Sequence, residues 1–107
     1  MEMMNVKMVE IVENGGMGVV LYNVSYREVN GKGFKKVVNN VFKDLMEDYK
    51  NEEIEKDFYY VESVKDSVGC IRLGEDKMVY VIEEGSEWFN LDCEDGEFFE
   101  FCCSLEE

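Results

Sequence analysis

Four acidic runs dominate the chemistry open to this chain: Glu47-Asp48, Glu52-Glu53-Glu55-Asp57, Glu83-Glu84-Glu87 and Asp92-Glu94-Asp95-Glu97. The last two flank the segment that carries the single tryptophan, Trp88, with Phe98 ten residues beyond. A large aromatic rimmed by carboxylates suits a protein interface. Buried aromatics anchor binding, and charge speeds and steers the encounter. Glu83, Glu84, Glu87, Trp88, Asp92, Glu94, Asp95, Glu97 and Phe98 are therefore the candidate partner-binding residues. The plain alternative is that the carboxylates only keep the protein soluble.

A second cluster is basic. Gly31-Lys32-Gly33-Phe34-Lys35-Lys36 opens a helical pattern, where unpaired amide groups and lysines could hold a phosphate or carboxylate. Gly31, Lys32, Gly33, Lys35 and Lys36 are the candidate anion site, set against an ordinary turn whose lysines point into solvent. The run from Asp92 to Glu97 has the hard oxygen donors that Ca²⁺ prefers, but not the spacing of an EF-hand loop. It reads as a solvated hairpin turn, and neither a metal nor a cofactor is expected.

Catalytic chemistry has little to work with. The chain has no histidine, so it has no imidazole base and no Ser-His or Cys-His pair. It also lacks a nucleophile elbow, a phosphate-binding loop and a dinucleotide fingerprint. The four cysteines, Cys70, Cys93, Cys102 and Cys103, form no CxxC pair and have no zinc spacing. They read as reduced, packed thiols. The expectation is a protein that is not an enzyme.

With 25 acidic and 11 basic residues, the formal charge is −14. Such a surface repels nucleic acid and anionic membrane and attracts basic partners. No apolar run reaches the roughly 18 residues that a membrane-spanning helix needs, and the start MEMMNVKM has no signal-peptide pattern. A cytoplasmic location is expected.

Alanine, threonine, proline, glutamine and histidine are all missing. These are the amino acids whose every codon contains cytosine, so the economical reading is a cytosine-depleted coding strand. That points to a virus, plasmid or other compact element, with the host cell as its setting.

The elements that must position these groups follow from periodicity. Residues 5–13 and 17–29 are rich in β-branched and aromatic types and are separated by Asn14-Gly15-Gly16, a hairpin signal. Phe34, Val37, Val38, Val41, Phe42, Leu45, Met46 and Tyr49 form one unbroken helical stripe. Five further strands are predicted at 58–64, 68–73, 78–83, 88–93 and 97–103. Pairing across their turns sets Val61 opposite Ile71, Leu73 opposite Met78, Ile82 opposite Phe89, Leu91 opposite Phe99 and Phe89 opposite Phe101. Those residues share one face with Tyr59, Tyr80 and Cys93.

The opposite face would carry Phe58, Tyr60, Glu62, Val64, Val68, Cys70, Arg72, Val79, Val81, Trp88, Phe98 and Cys102. It is too apolar to be fully wet, so the N-terminal hairpin is expected to cover part of it, with a homodimer as the alternative. The predicted fold is a single α+β domain over 1–107, ordered β-β-α-β-β-β-β-β, with the amphipathic helix packed on a twisted antiparallel sheet.

The functional expectation is a non-enzymatic acidic protein that inhibits or masks a basic host protein, a nucleic-acid-binding one by preference. An anti-CRISPR inhibitor, a nucleic-acid mimic and an antitoxin or immunity protein are the types that fit. The alternatives are a structural or self-associating viral protein, and a small-anion or nucleotide binder at residues 31–36.

Overall fold

A computed structural model of the chain describes residues 2–14, 19–48 and 56–90. The first two β-rich runs form an antiparallel hairpin of β1 (Met3–Asn14) and β2 (Val19–Asn30). Its register runs unbroken from Met3 opposite Asn30 to Asn14 opposite Val19. Helix α1 (Phe34–Glu47) follows. After a short 3₁₀ turn at Lys56–Phe58 come β3 (Tyr59–Lys65), β4 (Val68–Leu73) and β5 (Lys77–Glu83), and then a second 3₁₀ turn at Glu87–Asn90. The strands make one antiparallel sheet in the order β2-β1-β5-β4-β3. One helix packed on a five-strand antiparallel sheet is the α+β plan expected from periodicity.

The helix packs on one sheet face through its predicted stripe. Val37, Val38 and Val41 are fully buried against Val6, Met8, Ile71, Leu73, Val79 and Val81, and Phe34, Phe42, Leu45 and Met46 close the margins. Each buried aliphatic side chain contributes about 1.5–3 kcal/mol relative to exposure, so this seam is the main reason the helix forms where it does. Tyr49, the last predicted stripe residue, lies outside the described residues.

The second face is apolar as well. Val9, Val68, Cys70, Met78, Tyr80 and Ile82 are buried there, with Ile11, Val24, Trp88 and Phe89 packed against them. The hairpin does not lie over this face, contrary to expectation. Its strand β1 pairs edge to edge with β5, from Val6 opposite Glu83 to Val12 opposite Lys77. β1 has apolar residues on both faces, so it can serve as an inner strand of a sheet that is buried on both sides.

Three further expectations are corrected. Val61 does sit opposite Ile71. In the next pair, however, Met78 faces Arg72 and Val79 faces Ile71, so the expected pairing of Leu73 with Met78 is wrong by one residue. The loop occupies only residues 74–76, with Gly74 at φ 92°, and β5 begins at Lys77 rather than Met78. One residue less in the loop exchanges the faces of the whole strand. Val79 and Val81 thus turn to the helix, and Tyr80 and Ile82 turn away from it.

Val64 also lies on the helix side, because the β3 register shifts between Val61 and Ser63. A bulge adds one residue to one strand and resets its alternation. The described part of the predicted strand 88–93 lies in a 3₁₀ turn over Glu87–Asn90, so Phe89 has no ladder partner in Ile82, although both join the second-face cluster. The expected strand 97–103, and with it Leu91, Cys93, Phe98, Phe99, Phe101 and Cys102, falls outside the described residues.

The helix opposes its own dipole. Its first turn holds no acidic residue and its last turn no basic one, while Glu47 and the C-cap residue Asp48 are both exposed. Asp48→Lys should therefore raise stability by about 0.3–1 kcal/mol. Thermal melts at low and high salt check this. A gain that survives high salt would not be electrostatic in origin.

Candidate functional site

The segment Glu83-Glu84-Gly85-Ser86-Glu87-Trp88-Phe89 turns sharply at the end of β5. The Glu83 N–H donates to the Ser67 carbonyl at 2.9 Å and the Glu84 N–H to the Asn5 carbonyl at 3.2 Å, which ties the strand end to both of its neighbours. Gly85 then takes φ 98°, a conformation that only glycine adopts at little cost. Ser86 acts as the cap: its Oγ accepts from the Trp88 N–H at 3.2 Å, and its carbonyl accepts from the Phe89 N–H at 3.1 Å. A capping serine followed by an acidic residue in the first turn is a helix-start signal. It outweighs the apolar pair Trp88-Phe89 that suggested a strand.

This turn folds Trp88 and Phe89 back onto the second sheet face. Phe89 meets Tyr26 of β2 edge to face, with ring centroids 5.6 Å apart and planes at 66°. Tyr26 is 65% exposed. Asn5, Tyr26, Arg27, Glu28, Glu84 and Phe89 line a surface depression of about 320 Å³. Beyond Trp88, a second depression of about 370 Å³ runs along the β3–β4 turn, where Glu87 and Asp66 stand with Lys65.

Aromatic rings with carboxylates on both sides therefore form one corner of the molecule. Of the predicted partner-binding residues, Glu84, Glu87 and Trp88 lie here, whereas Glu83, opposite Val6, alternates with Val79 and Val81 toward the helix side. Asp92, Glu94, Asp95, Glu97 and Phe98 fall outside the described residues. Tyr26 and Glu28 belong to the corner although no local pattern marks them, because they reach it across β1. Phe89 joins it too, away from the helix-side face where pairing had placed it.

The predicted anion turn has a structural account. Gly33 is the helix N-cap at φ 89°. A Cβ on Gly31 would stand 2.8 Å from Val37 Cγ2 and 3.1 Å from the Val37 nitrogen, so glycine is what lets the chain pass the helix. Lys32, Lys35 and Lys36 are exposed. Lys35 borders a depression of about 460 Å³ with Phe34, Val61, Ser63, Val64 and Asp66, where the Asp66 carboxylate would compete with an incoming anion.

Cys70 is buried, and its thiol donates to Glu62 Oε2 at 3.3 Å. Cys93, Cys102 and Cys103 lie outside the described residues. Among the described residues, no group of three metal-competent side chains comes together and no helix is long and apolar enough to cross a membrane.

Comparison of the chain with protein-family models, with curated proteins and with solved structures gives no match. The reading of the corner therefore rests on its geometry and charge.

Proposed function

We propose that this chain is a binding protein of a virus or other mobile element, and that it engages a basic protein of the host through the corner built from Tyr26, Glu28, Glu84, Glu87 and Trp88. The observation that carries this reading is the convergence of exposed carboxylates around an aromatic group on a chain of formal charge −14. Carboxylates draw a cationic partner in and orient it, and the rings supply the apolar contact that holds it. Nucleic-acid-binding proteins present such cationic surfaces. Inhibition of a host defence nuclease, mimicry of nucleic acid, and neutralisation of a toxin are the roles this chemistry fits. No catalytic step is assigned to any residue.

The test is affinity capture of host proteins on the tagged chain, washed at low and at high salt, beside a Glu84→Lys/Glu87→Lys/Trp88→Ala variant. A basic, nucleic-acid-binding protein should be held by the wild type, released by salt, and reduced about tenfold or more on the variant, as expected for loss of interface hot spots. Equal retention by both proteins at both salt concentrations would remove the corner from consideration.

A further inference from the structure

The two edges of the sheet differ in kind. At one edge, β3 is short, its register is broken between Val61 and Ser63, and it carries Glu62 and Lys65. Bulges and charges of this sort are the usual protection against unwanted strand pairing. At the other edge, β2 also carries two charges, Arg27 and Glu28, but it runs for 12 residues with no register break, no proline and no glycine.

Three contacts fix which of its peptide groups face outward. The Gly31 N–H donates to the Glu2 carbonyl, which makes the odd-numbered β2 residues the ones bonded to β1. The Glu84 N–H donates to the Asn5 carbonyl on the far side of β1, as that alternation requires. The Asn30 carbonyl, on the outward side, accepts from Asn40 Nδ2 of the helix at 2.6 Å. The helix thus closes one end of the edge. The peptide groups of Val20, Tyr22, Val24, Tyr26 and Glu28 point outward, and among the described residues no strand pairs with them.

We infer that this edge receives an extended, lysine- or arginine-bearing segment of the partner as a sixth strand. The inference rests on the basic-partner reading above and deepens it. The residues whose amides point outward also turn Tyr26 and Glu28 onto the second face, beside Glu84 and Phe89. Side chains of an added strand opposite them would project onto that same face. A cation opposite Glu28 meets a carboxylate, with Glu84 lining the same depression, and a cation opposite Tyr26 lies against an exposed ring. On the helix side, Asn23, Ser25 and Arg27 are exposed, and Arg27 already stands 4.0 Å from Asp44. The fitting segment therefore has basic residues at alternate positions. Backbone bonds would supply affinity, and alternate side chains specificity.

A second copy of the chain fits less well. Antiparallel pairing of β2 with itself sets even residues opposite even ones, so Arg27 never faces Glu28. It also brings together two chains of −14 each.

The test uses an end-capped synthetic peptide of alternating valine and lysine, and the same peptide with alternate backbone nitrogens methylated. The two carry equal charge, but only the first can complete a ladder. The unmodified peptide should bind and slow hydrogen exchange at the Val24, Tyr26 and Glu28 amides. Methylation should weaken binding about tenfold or more, the effect of losing two or so net hydrogen bonds. Val24→Pro removes one outward N–H and none of the bonds to β1, so it should weaken binding of the unmodified peptide while circular dichroism stays unchanged. Equal binding of the two peptides would overturn the edge and leave the charged corner standing. Binding of neither would overturn the edge as well, and the capture experiment would then judge the corner alone. A concentration-dependent dimer in sedimentation that Val24→Pro abolishes would assign the edge to a second copy instead.

Discussion

Gly69→Ala is expected to cost about 1–3 kcal/mol, and Gly69→Val more, although Gly69 lies in a regular strand where alanine is normally tolerated. The reason is the distance between helix and sheet. Gly69 sits in β4 between Val64 and Val81, directly beneath α1. A Cβ there would stand 2.6 Å from Val38 Cγ2, 2.9 Å from Cγ1 and 3.3 Å from the Val38 Cβ. Rotating Val38 does not clear the clash, since both methyls and the branching carbon are close and a helical valine has one strongly preferred rotamer. The helix itself has to lift, which loosens Val37 and Val41, both fully buried. For a domain of this size each kcal/mol lowers the melting temperature by roughly 4–8 °C.

The contact can be isolated with a double mutant. Val38→Ala opens space beneath the helix at its own cost, and the pair Gly69→Ala/Val38→Ala should be less damaging than the sum by about 0.5–3 kcal/mol. Additivity within about 0.5 kcal/mol would mean that the two side chains do not share that space, and the packing described for this seam would be wrong.

Gly69 also shows what was hidden in the sequence. The helix was legible because a 3.6-residue stripe fixes its buried face unaided, and Phe34, Val37, Val38, Val41, Phe42, Leu45 and Met46 all lie on the seam. The hairpin was legible from turn chemistry, and so was the pairing of β3 with β4 at Val61 and Ile71, but not the two-residue Asp66-Ser67 turn, with Asp66 at φ 52°, or the bulge that resets the register beyond Val61. The β4–β5 register was not. Both strands are buried on both faces, so alternation, which normally reports register, carried no information there.

The candidate site divides the same way. Glu84, Glu87 and Trp88 are neighbours in sequence and were visible as a cluster. Tyr26 and Glu28 enter only through the pairing of β2 with β1 and the backward fold of the Glu87–Asn90 turn. The glycines at 31 and 33, named as part of the candidate anion site, also serve the chain at the helix start: Gly31 passes close to Val37, and Gly33 takes a φ of 89°.

Lys7→Glu is expected to be among the most damaging single substitutions in the described part of the chain. Lys7 is only 2% exposed. It lies on β1 between Tyr26 and Ile82, on the second face with Val9. Taking an ammonium out of water costs several kcal/mol unless its hydrogens are matched by acceptors, and no buried side-chain nitrogen or oxygen among the described residues lacks a partner. An ammonium buried at this place needs acceptors around it.

A carboxylate in that place buries a charge of the opposite sign that can accept hydrogen bonds but not donate them. Reversal should cost on the order of the roughly 3–5 kcal/mol of an uncompensated buried charge, a large share of the ~5–15 kcal/mol that holds a typical domain together. Lys7→Met keeps the apolar stem and should cost less than Lys7→Glu. The pH dependence separates charge from shape. Burial holds the new carboxyl's proton more tightly in the folded state than in the unfolded one, so stability relative to wild type should rise as pH falls. Denaturant melts of the three proteins from pH 5 to 8 measure this. A loss within about 0.5 kcal/mol for Lys7→Glu, the range of an ordinary surface change, would mean that the side chain reaches water after all. A full loss would instead place a buried cation directly beside Tyr26, a residue of both the proposed acidic corner and the β2 edge, which is unpaired among the described residues.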